Sequence, residues 1–142
     1  MTDFIFRRQF AIEWGHCDPA GIVFNSRFFE YFDTSSWALF HAALGVAPPD
    51  LAGTFDIVGI PLVDARAKFM RPVKFGETID IQSTIGEFRR SSFSVQHRLL
   101  VGETLAVEGS ETRVWAAADK DDPAKLKSRP IPADVIARFK PT

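Results

Sequence analysis

Apolar and polar residues alternate along most of this chain, and the alternation is already present near its start. Residues 4–14 place their bulky apolar side chains on one parity, which comprises Phe4, Phe6, Phe10, Ile12 and Trp14. A period of two predicts a β-strand with one buried face. Arg8 interrupts the apolar parity, which indicates either a β-bulge or a sheet edge.

A different period governs residues 25–44, where apolar side chains recur every three to four positions. The main stripe contains Phe28, Phe32, Ser35, Leu39 and Ala43. Further apolar residues widen this stripe, so the pattern predicts a long helix that is buried on most faces. We expect Asn25 or Ser26 to cap the N-terminus of the helix and Gly45 to end it at C′.

The rest of the chain predicts more strands. A segment with prolines and a glycine indicates a loop over residues 46–55. Alternation then returns in four segments, 63–70, 79–85, 92–101 and 104–118. A polar turn follows at 119–123, and Pro132 at a first helical position opens a short helix that ends near Phe139.

This order of elements favours an α+β fold. One strand, a long helix, four strands and a short helix pack most simply as an antiparallel five-stranded sheet wrapped around a central helix. We expect a single domain over residues 1–142. Because one sheet leaves its other face and its edges to be covered, we also expect self-association into a homo-oligomer.

Composition argues against several classes of protein. The formal net charge is −1 and no segment is rich in Lys or Arg, so we expect no nucleic-acid partner. The first residues show no signal peptide, and no apolar run reaches the roughly 20 residues of a membrane span. Cys17 is the single cysteine. A lone cysteine cannot form an internal disulfide, so we expect a reducing, cytoplasmic compartment.

The strongest chemical signal is one acidic residue shortly before the long helix. Asp18 lies in a loop that Pro19 and Gly21 set apart from the first strand. A carboxylate is ionised at neutral pH and acts as a nucleophile or as a general base on water. The free N–H groups of a helix start stabilise an oxygen that becomes negative. Because a carboxylate is a weak base, this pair suits a good leaving group, such as the thiolate of a thioester.

Each polar residue of this region also has a simpler interpretation. An Asp before Pro is commonly a turn former, which is the structural alternative for Asp18. His16 and Cys17 look like a nucleophile pair, but neighbours in an extended chain point in opposite directions. Glu30 falls in the first helical turn, where a negative charge is favourable in any case. Asp33 lies in an apolar helix, so it either faces water or contacts a polar group of a ligand.

Two further groups of residues are candidates for binding. Arg89 and Arg90 lie between two predicted strands, where adjacent arginines hold phosphates or simply form a solvated turn. His41 and His97 have no metal-like spacing with other ligand types. We therefore expect no metal, and no other cofactor is predicted.

Four segments together resemble the hotdog-fold acyl-CoA thioesterases, and most of all the 4-hydroxybenzoyl-CoA thioesterase family. The most specific of them is Cys17-Asp18-Pro19-Ala20-Gly21-Ile22-Val23, and the others are 59–63, 69–73 and 88–93. The resemblance implies the hotdog fold, in which a five-stranded antiparallel sheet wraps a long helix. It also implies an acyl-CoA substrate, and homodimers or homotetramers with active sites at subunit interfaces.

The resemblance also implies roles for individual residues. Asp18 is the catalytic carboxylate, and the backbone N–H near Asn25 polarises the thioester carbonyl. The substrate-binding positions are Asp33, Gly59, Ile60, Arg89 and Arg90. The glycine and isoleucine line the acyl pocket, the arginines hold coenzyme A phosphates, and the aspartate contacts a hydroxyl group of an aromatic acyl ring.

Two departures from the family pattern leave the acyl group open. Asn25 stands where the hydroxybenzoyl enzyme has an aromatic residue, and Ser91 follows the arginine pair where a third basic residue can occur. We expect hydrolysis of an aromatic acyl-CoA such as 4-hydroxybenzoyl-CoA or benzoyl-CoA. The alternatives are a short-chain aliphatic acyl-CoA thioesterase and a module that binds acyl-CoA without hydrolysing it. Glu30 is the alternative catalytic carboxylate.

Overall fold

The structure is a computed structural model that describes residues 3–140. Within this range the chain forms three α-helices, α1 (Asn25–Leu44), α2 (Leu51–Phe55) and α3 (Ala133–Phe139). Its seven strands there are β1 (Phe6–Ala11), β2 (Leu62–Phe69), β3 (Thr78–Phe88), β4 (Ser92–Val101), β5 (Thr104–Val114), β6 (Ala116–Ala118) and β7 (Leu126–Ser128). The outer limits of the predicted domain lie outside the described residues.

The five long strands form one antiparallel sheet in the order β1-β3-β4-β5-β2. Helix α1 lies across the inner face of this sheet, and β1 and β2 are the two edge strands. The arrangement confirms the predicted α+β architecture of a long helix wrapped by an antiparallel five-stranded sheet. No helix within residues 3–140 is long and apolar enough to cross a membrane.

Helix α1 is buried because both of its halves pack against apolar side chains of the sheet. Its first half contributes Phe28 and Phe32 to a cluster with isoleucines of β3, and its second half contributes Leu39 and Phe40 to a second cluster. Gly45 ends the helix in the left-handed conformation, with φ of 70°, as the sequence predicts.

The expected N-cap of α1 is wrong. Phe24 occupies the cap position with an extended backbone, so Asn25 is already the first helical residue. No side chain forms a capping hydrogen bond at this end. The chain enters the helix in this way because the backbone of residues 23 and 24 is held by the loop and by the strand region that follows β2. The N–H groups of the first turn are therefore left open to another acceptor.

Several local predictions also differ from the structure. Strand β1 ends at Ala11, and Trp14 is 57% exposed in a 3-10 turn because the chain has already left the sheet. Arg8 marks a sheet edge rather than a bulge, since β1 pairs with β3 without a register shift. Residues 46–55 contain α2 in addition to a loop, and Pro132 is the N-cap of α3 rather than its first residue.

The predicted last strand is divided in two. Strand β5 ends at Val114, and the N–H of the buried Trp115 donates to the carbonyl of Ser91 at 2.8 Å. Strand β6 then pairs with β7 in a separate two-stranded sheet. Trp115, Ala116 and Ala117 are all buried, and this short apolar run carries no signal of the change of partner.

Strand β2 is left uncovered in the single chain. Every residue of β2 except Ala67 is exposed, including Phe69 at 45%. The register with β5 places Ala65, Ala67 and Phe69 on the inner face of the sheet, beside residues that are buried. The outer face carries mostly polar side chains, such as Arg66 and Lys68. The surface that needs a cover is therefore the β2 edge and its inner side, not the outer face.

Candidate active site

The loop before α1 is a tight, hydrogen-bonded turn that fixes Asp18. Cys17 bridges to Val23, and the N–H of Asp18 donates to the carbonyl of Ile22 at 2.9 Å. The Asp18 carboxylate accepts a hydrogen bond through Oδ1 from the N–H of Ala20 at 2.8 Å. Gly21 has φ of 79°, a conformation that favours glycine. The turn-forming role of Asp18 is therefore present, while its Oδ2 atom has no protein partner among the described residues.

The start of α1 presents backbone donors that have no acceptor. The N–H of Phe24 donates to the carbonyl of His16 at 3.0 Å, and that of Arg27 donates to the carbonyl of Phe24 at 2.9 Å. Between them, the N–H groups of Asn25 and Ser26 have no acceptor in the part of the chain that the structure describes. Free amides and the helix dipole make this position favourable for a negative oxygen.

These amides adjoin an apolar cavity of about 290 Å³. Its wall consists of Ile22, Val23, Asn25, Phe28, Phe69, Met70, Arg71, Pro72 and Val73. The rings of Phe28 and Phe69 lie 5.5 Å apart, so the end of β2 closes over the first turn of α1. Asp18 is not part of this wall, although its backbone partner Ile22 is. Asn25 therefore lines the cavity, and Asp18 is separated from the cavity wall by one hydrogen-bonded turn.

Arg71 is a cavity residue that the sequence analysis did not single out. Its guanidinium pairs with Glu77 at 2.8 Å and donates to the carbonyl of Pro72 at 2.7 Å. The hydrogen bond from Arg71 is the largest influence on the Glu77 carboxyl and lowers its pKa. Segment 69–73 is one of the four segments that carry the family resemblance. That motif was the one available signal for Arg71, because the strand pattern ends before it.

The residues predicted to line the acyl pocket and those predicted to bind phosphates lie away from this cavity. Gly59 and Ile60 are buried just before β2, and Arg89 and Arg90 lie in the exposed β3–β4 turn, where Arg89 pairs with Glu87 at 3.3 Å. Both groups sit at the end of the sheet where β2 begins. The cavity lies at the other end of β2. The two ends of this strand are seven residues apart, which corresponds to about 23 Å. One chain therefore does not bring these residues to the cavity.

Asp33 is half-exposed on α1, and its carboxylate is paired with a buried arginine. Arg113 Nη2 donates to Asp33 Oδ1 at 2.7 Å, and the Arg113 side chain is only 2% exposed whereas that of Asp33 is 52% exposed. Asp33 was predicted either to face water or to contact a polar group of a ligand. Its internal partner, Arg113, was not predicted.

Arg113 belongs to a polar network inside the core, between α1 and the sheet. Its guanidinium also contacts both carboxylate oxygens of Glu111, each at 3.1 Å. Glu111 in turn contacts the Ser36 hydroxyl, and the ring of His97 at 3.2 Å. The other ring nitrogen of His97 lies 2.7 Å from Ser83 Oγ. Buried charges of this kind are tolerated because each has a partner.

A weak sequence signal for this network existed. His97 falls on the apolar parity of β4, and Glu111 and Arg113 fall on the inward parity of β5, between buried neighbours. Polar residues at inward positions require partners. What the sequence does not supply is the identity of those partners, since they come from three strands and from α1.

The carboxyl group of Glu111 makes the free energy of unfolding depend on pH. Burial is the largest single influence and raises the pKa of Glu111, but hydrogen bonds from His97, Arg113 and Ser36 outweigh it and lower the pKa from 4.5 to about 2. A lowered pKa in the folded state stabilises the protein above the ordinary pKa of the group. This contribution, about 3 kcal/mol, is lost as the pH falls from 4.5 towards about 2.

We therefore expect Glu111→Gln to reduce the free energy of unfolding most near neutral pH, by about 3 kcal/mol or more. The difference from the parent protein should shrink as the pH falls through the same window, because the parent loses its own charge there. Urea unfolding at several pH values measures both effects. Glu108→Gln, on the exposed outer face of β5, is the control. A difference that stays constant with pH contradicts the assignment.

The remaining loop candidates have structural contacts of their own. The His16 ring lies 2.8 Å from the Tyr31 hydroxyl, so His16 is a hydrogen-bonding residue of the loop. Burial is the main cause that raises the pKa of Tyr31 to about 12. Cys17 contacts the carbonyl of Glu13 rather than His16. Glu30 pairs with Arg27 on the surface at 3.0 Å. Within residues 3–140, no three potential metal ligands lie together.

Comparison with known proteins adds a family to this geometry. The model of the thioesterase-like superfamily matches residues 12–139. The 4-hydroxybenzoyl-CoA thioesterase of Pseudomonas sp. (strain CBS-3) is 33% identical over 134 residues, which cover 90% of this chain and 92% of that protein. The acyl-CoA thioester hydrolase YbgC of Escherichia coli O157:H7 is 19% identical over 140 residues, 99% of each chain.

A solved structure of a mutant 4-hydroxybenzoyl CoA thioesterase complexed with 4-hydroxybenzoyl CoA superimposes with a TM-score of 0.85. It is 28% identical, and the match covers 96% of this chain and 99% of that one. These matches confirm the resemblance drawn from the sequence motifs and the hotdog fold that it implied.

Proposed function

This chain belongs to the thioesterase-like superfamily, and from that premise we propose that it hydrolyses acyl-CoA thioesters to a free acid and coenzyme A. The substrate we favour is an aromatic acyl-CoA, with 4-hydroxybenzoyl-CoA first and benzoyl-CoA second. The observation that carries the proposal is the pair of open N–H groups at the start of α1, beside an apolar cavity. The names of the Pseudomonas relative and of the structure in complex with its substrate support the acyl group.

In the proposed reaction, the thioester carbonyl oxygen accepts hydrogen bonds from the N–H of Asn25 and its neighbour. Asp18 attacks the carbonyl carbon directly, forming an acyl anhydride that water then hydrolyses to the free acid, or removes a proton from a water that attacks it. The tetrahedral oxygen carries the negative charge until the carbon–sulfur bond breaks and coenzyme A leaves as a thiolate. The free Oδ2 atom of Asp18 is the atom available for this step, since Oδ1 is engaged by Ala20.

The proposed active form is a homodimer paired along β2. A two-fold axis through the middle of β2 places the Phe69 end of one chain beside the Leu62 end of its copy. Gly59 and Ile60 directly precede that second end, so they are positioned to complete the cavity of the other chain. The exposed edge and uncovered inner face of β2 support this pairing.

The same pairing gives Arg89 and Arg90 a role. Their turn sits at the Leu62 end of the sheet, because Ser92 pairs with Val114, whose N–H donates to the carbonyl of Pro61 at 3.1 Å. In the dimer, these two guanidinium groups lie towards the cavity of the other chain, where they would bind coenzyme A phosphates. Two such dimers would associate in the proposed homotetramer.

A charge placed in the middle of β2 is expected to separate the subunits. Ala65 is exposed in the single chain, so Ala65→Glu should not unfold the protein. In the dimer the new carboxylate would be buried without a partner. We expect monomers by light scattering and a hydrolysis rate lowered at least about tenfold, because the acyl group loses part of its wall.

The matched control for this variant is Ala118→Glu, at the exposed end of β6 and outside the β2 edge. It should remain a dimer with unchanged activity. A monomeric Ala65→Glu protein that hydrolyses acyl-CoA at the parent rate would remove the need for the second chain.

The test of the function itself is release of free thiol from a panel of acyl-CoA thioesters. The panel contains 4-hydroxybenzoyl-CoA, benzoyl-CoA, acetyl-CoA and butanoyl-CoA, with S-ethyl coenzyme A as a thioether that cannot be hydrolysed. We expect the highest kcat/KM with an aromatic acyl group. A preference for the aliphatic thioesters would favour the short-chain alternative, and absence of hydrolysis on the whole panel refutes the proposed reaction.

A second candidate function is binding of acyl-CoA without hydrolysis. The observation that favours it is the Asp18 carboxylate, which is held in its own turn and does not line the cavity. A stable, unhydrolysed complex with 4-hydroxybenzoyl-CoA, measured by calorimetry and mass spectrometry, would establish this function instead.

We also propose a reducing, cytoplasmic location. The support is the single free cysteine, Cys17, which has no partner for an internal disulfide. Fractionation of cells that express the tagged protein tests this location.

A further inference from the structure

The buried network around Arg113 and Glu111 reaches the surface at Asp33. Arg113 is 2% exposed and Glu111 is 4% exposed at their side chains, whereas Asp33 is half-exposed. All three guanidinium nitrogens of Arg113 are used within the protein, because Nη1 also donates to the carbonyl of Ile60 at 3.0 Å. Four of its five N–H donors are thus engaged, and the side chain is buried, so we expect any effect of Arg113 on a ligand to pass through Asp33.

The contacts hold Asp33 in one orientation. Nη2 of Arg113 is shared between Asp33 Oδ1 at 2.7 Å and Glu111 Oε2 at 3.1 Å, and Glu111 itself is fixed by Ser36 and His97. A half-exposed aspartate on a helix normally samples several rotamers. Here one oxygen is held from inside the core, which leaves Oδ2 as an outward acceptor with no protein partner among the described residues.

The position of this acceptor suits the proposed dimer. Arg113 pairs with Leu62 across β5 and β2, so Asp33 lies near the end of β2 that meets the cavity of the other chain. Arg113 also holds the carbonyl of Ile60, a residue proposed for the acyl wall. One buried guanidinium thus supports two parts of the same pocket.

Building on the proposed function, we propose that Arg113 is a positioning residue that sets acyl specificity. It fixes Asp33 as a charged acceptor at the closed end of the acyl pocket. An acceptor without a proton selects acyl rings that carry a neutral donor, such as a hydroxyl or amino group. It discriminates against rings that offer no donor and repels rings that carry a carboxylate.

The test is the ratio of kcat/KM for 4-hydroxybenzoyl-CoA to that for benzoyl-CoA. In the parent protein this ratio should be at least about tenfold, and 4-aminobenzoyl-CoA should resemble the hydroxyl substrate. Arg113→Lys keeps the charge but loses the forked contacts. We expect it to bring the ratio close to one, because only 4-hydroxybenzoyl-CoA loses an acceptor, whereas any loss through the Ile60 wall acts on both substrates. A purely structural role would lower both rates together and leave the ratio unchanged.

Arg7→Lys is a surface control for the same chemical change, because the exposed Arg7 pairs with Asp80 at 2.9 Å on the outer face of the sheet. It should leave the ratio unchanged. If Arg113→Lys does not fold, Asp33→Asn replaces it, since the half-exposed Asp33 tolerates the change. The ratio should then also fall close to one.

A folded variant of either kind that retains the parent ratio overturns this inference but leaves the hydrolysis of acyl-CoA intact. A parent protein without any preference for the hydroxyl group overturns it as well. A parent that hydrolyses no acyl-CoA at all refutes the proposed function, which is a distinct outcome of the same assay.

Discussion

Replacing Asp18 by asparagine is expected to lower kcat by about 100-fold or more, because the amide neither attacks a carbonyl nor accepts a proton from water. The variant should fold normally. An asparagine side-chain oxygen can still accept the hydrogen bond from the N–H of Ala20 that holds the turn. Thiol release under saturating acyl-CoA, together with a thermal melt, separates the chemical effect from a structural one.

A second aspartate of the chain provides the control for this substitution. Asp119 forms the same kind of turn, in which its Oδ1 accepts from the N–H of Asp121 at 2.8 Å. Asp119→Asn therefore makes the same chemical change in the same local geometry, outside the loop that precedes α1, and should leave kcat unchanged. Equal turnover by Asp18→Asn and the parent would remove Asp18 from the mechanism and favour the binding module.

A single-turnover reaction in ¹⁸O-labelled water distinguishes direct attack by Asp18 from attack by water. Direct attack by Asp18 forms an acyl anhydride with the protein, and its hydrolysis can leave ¹⁸O in the carboxylate. Attack by water places the label only in the released acid. Mass spectrometry of the protein and of the acid therefore distinguishes nucleophilic from general-base catalysis.

Much of the fold was predictable because local periodicity and burial agree along most of the chain. The stripe through Phe28, Phe32 and Leu39 is apolar enough to require burial, and Gly45 supplies the left-handed residue that ends the helix. In β3 and β4 the inward residues are almost continuously buried, so a period of two identifies the strands. In these segments the local pattern and the tertiary packing favour the same secondary structure, so the prediction from the sequence agrees with the structure.

Other features depend on contacts between distant parts of the chain. The break at Trp115 arises because its N–H is taken by Ser91 in the β3–β4 turn, which no local pattern announces. Strand β2 was predicted from alternation, but its exposure is a property of the sheet edge. The sequence shows which residues alternate and does not show which strand remains without a neighbour.

Part of the candidate site was also predictable from the sequence, and part of it was not. The motif around Asp18 and the start of α1 are adjacent in sequence, so their proximity was predictable from the chain alone. Gly59, Ile60 and the arginine turn lie at the far end of the sheet, and they reach the cavity only in the proposed dimer. The pairing of Asp33 with Arg113 joins residues 80 positions apart and was not predicted at all.

The contribution of the helix start can be tested without changing any side chain that the mechanism uses. Asn25→Pro removes one backbone N–H, and we expect kcat to fall by about 100- to 1,000-fold, as for the loss of one donor to a developing oxyanion. Proline is tolerated at the first helical position, where the N–H has no intrahelical acceptor. Phe24, with φ of −68° and ψ of 136°, already has the extended conformation that a following proline requires.

Asn25→Ala is the matched control for this experiment, because it removes the same side chain and retains the N–H. Since the side chain of Asn25 does not cap α1, the alanine variant should keep the stability and the turnover of the parent. A large loss in both variants would assign the effect to the asparagine side chain. A proline variant that folds and hydrolyses acyl-CoA at the parent rate would instead show that the thioester oxygen lies away from the start of α1. The cavity beside Phe28 and Phe69 would then not be the place where the carbon–sulfur bond is broken.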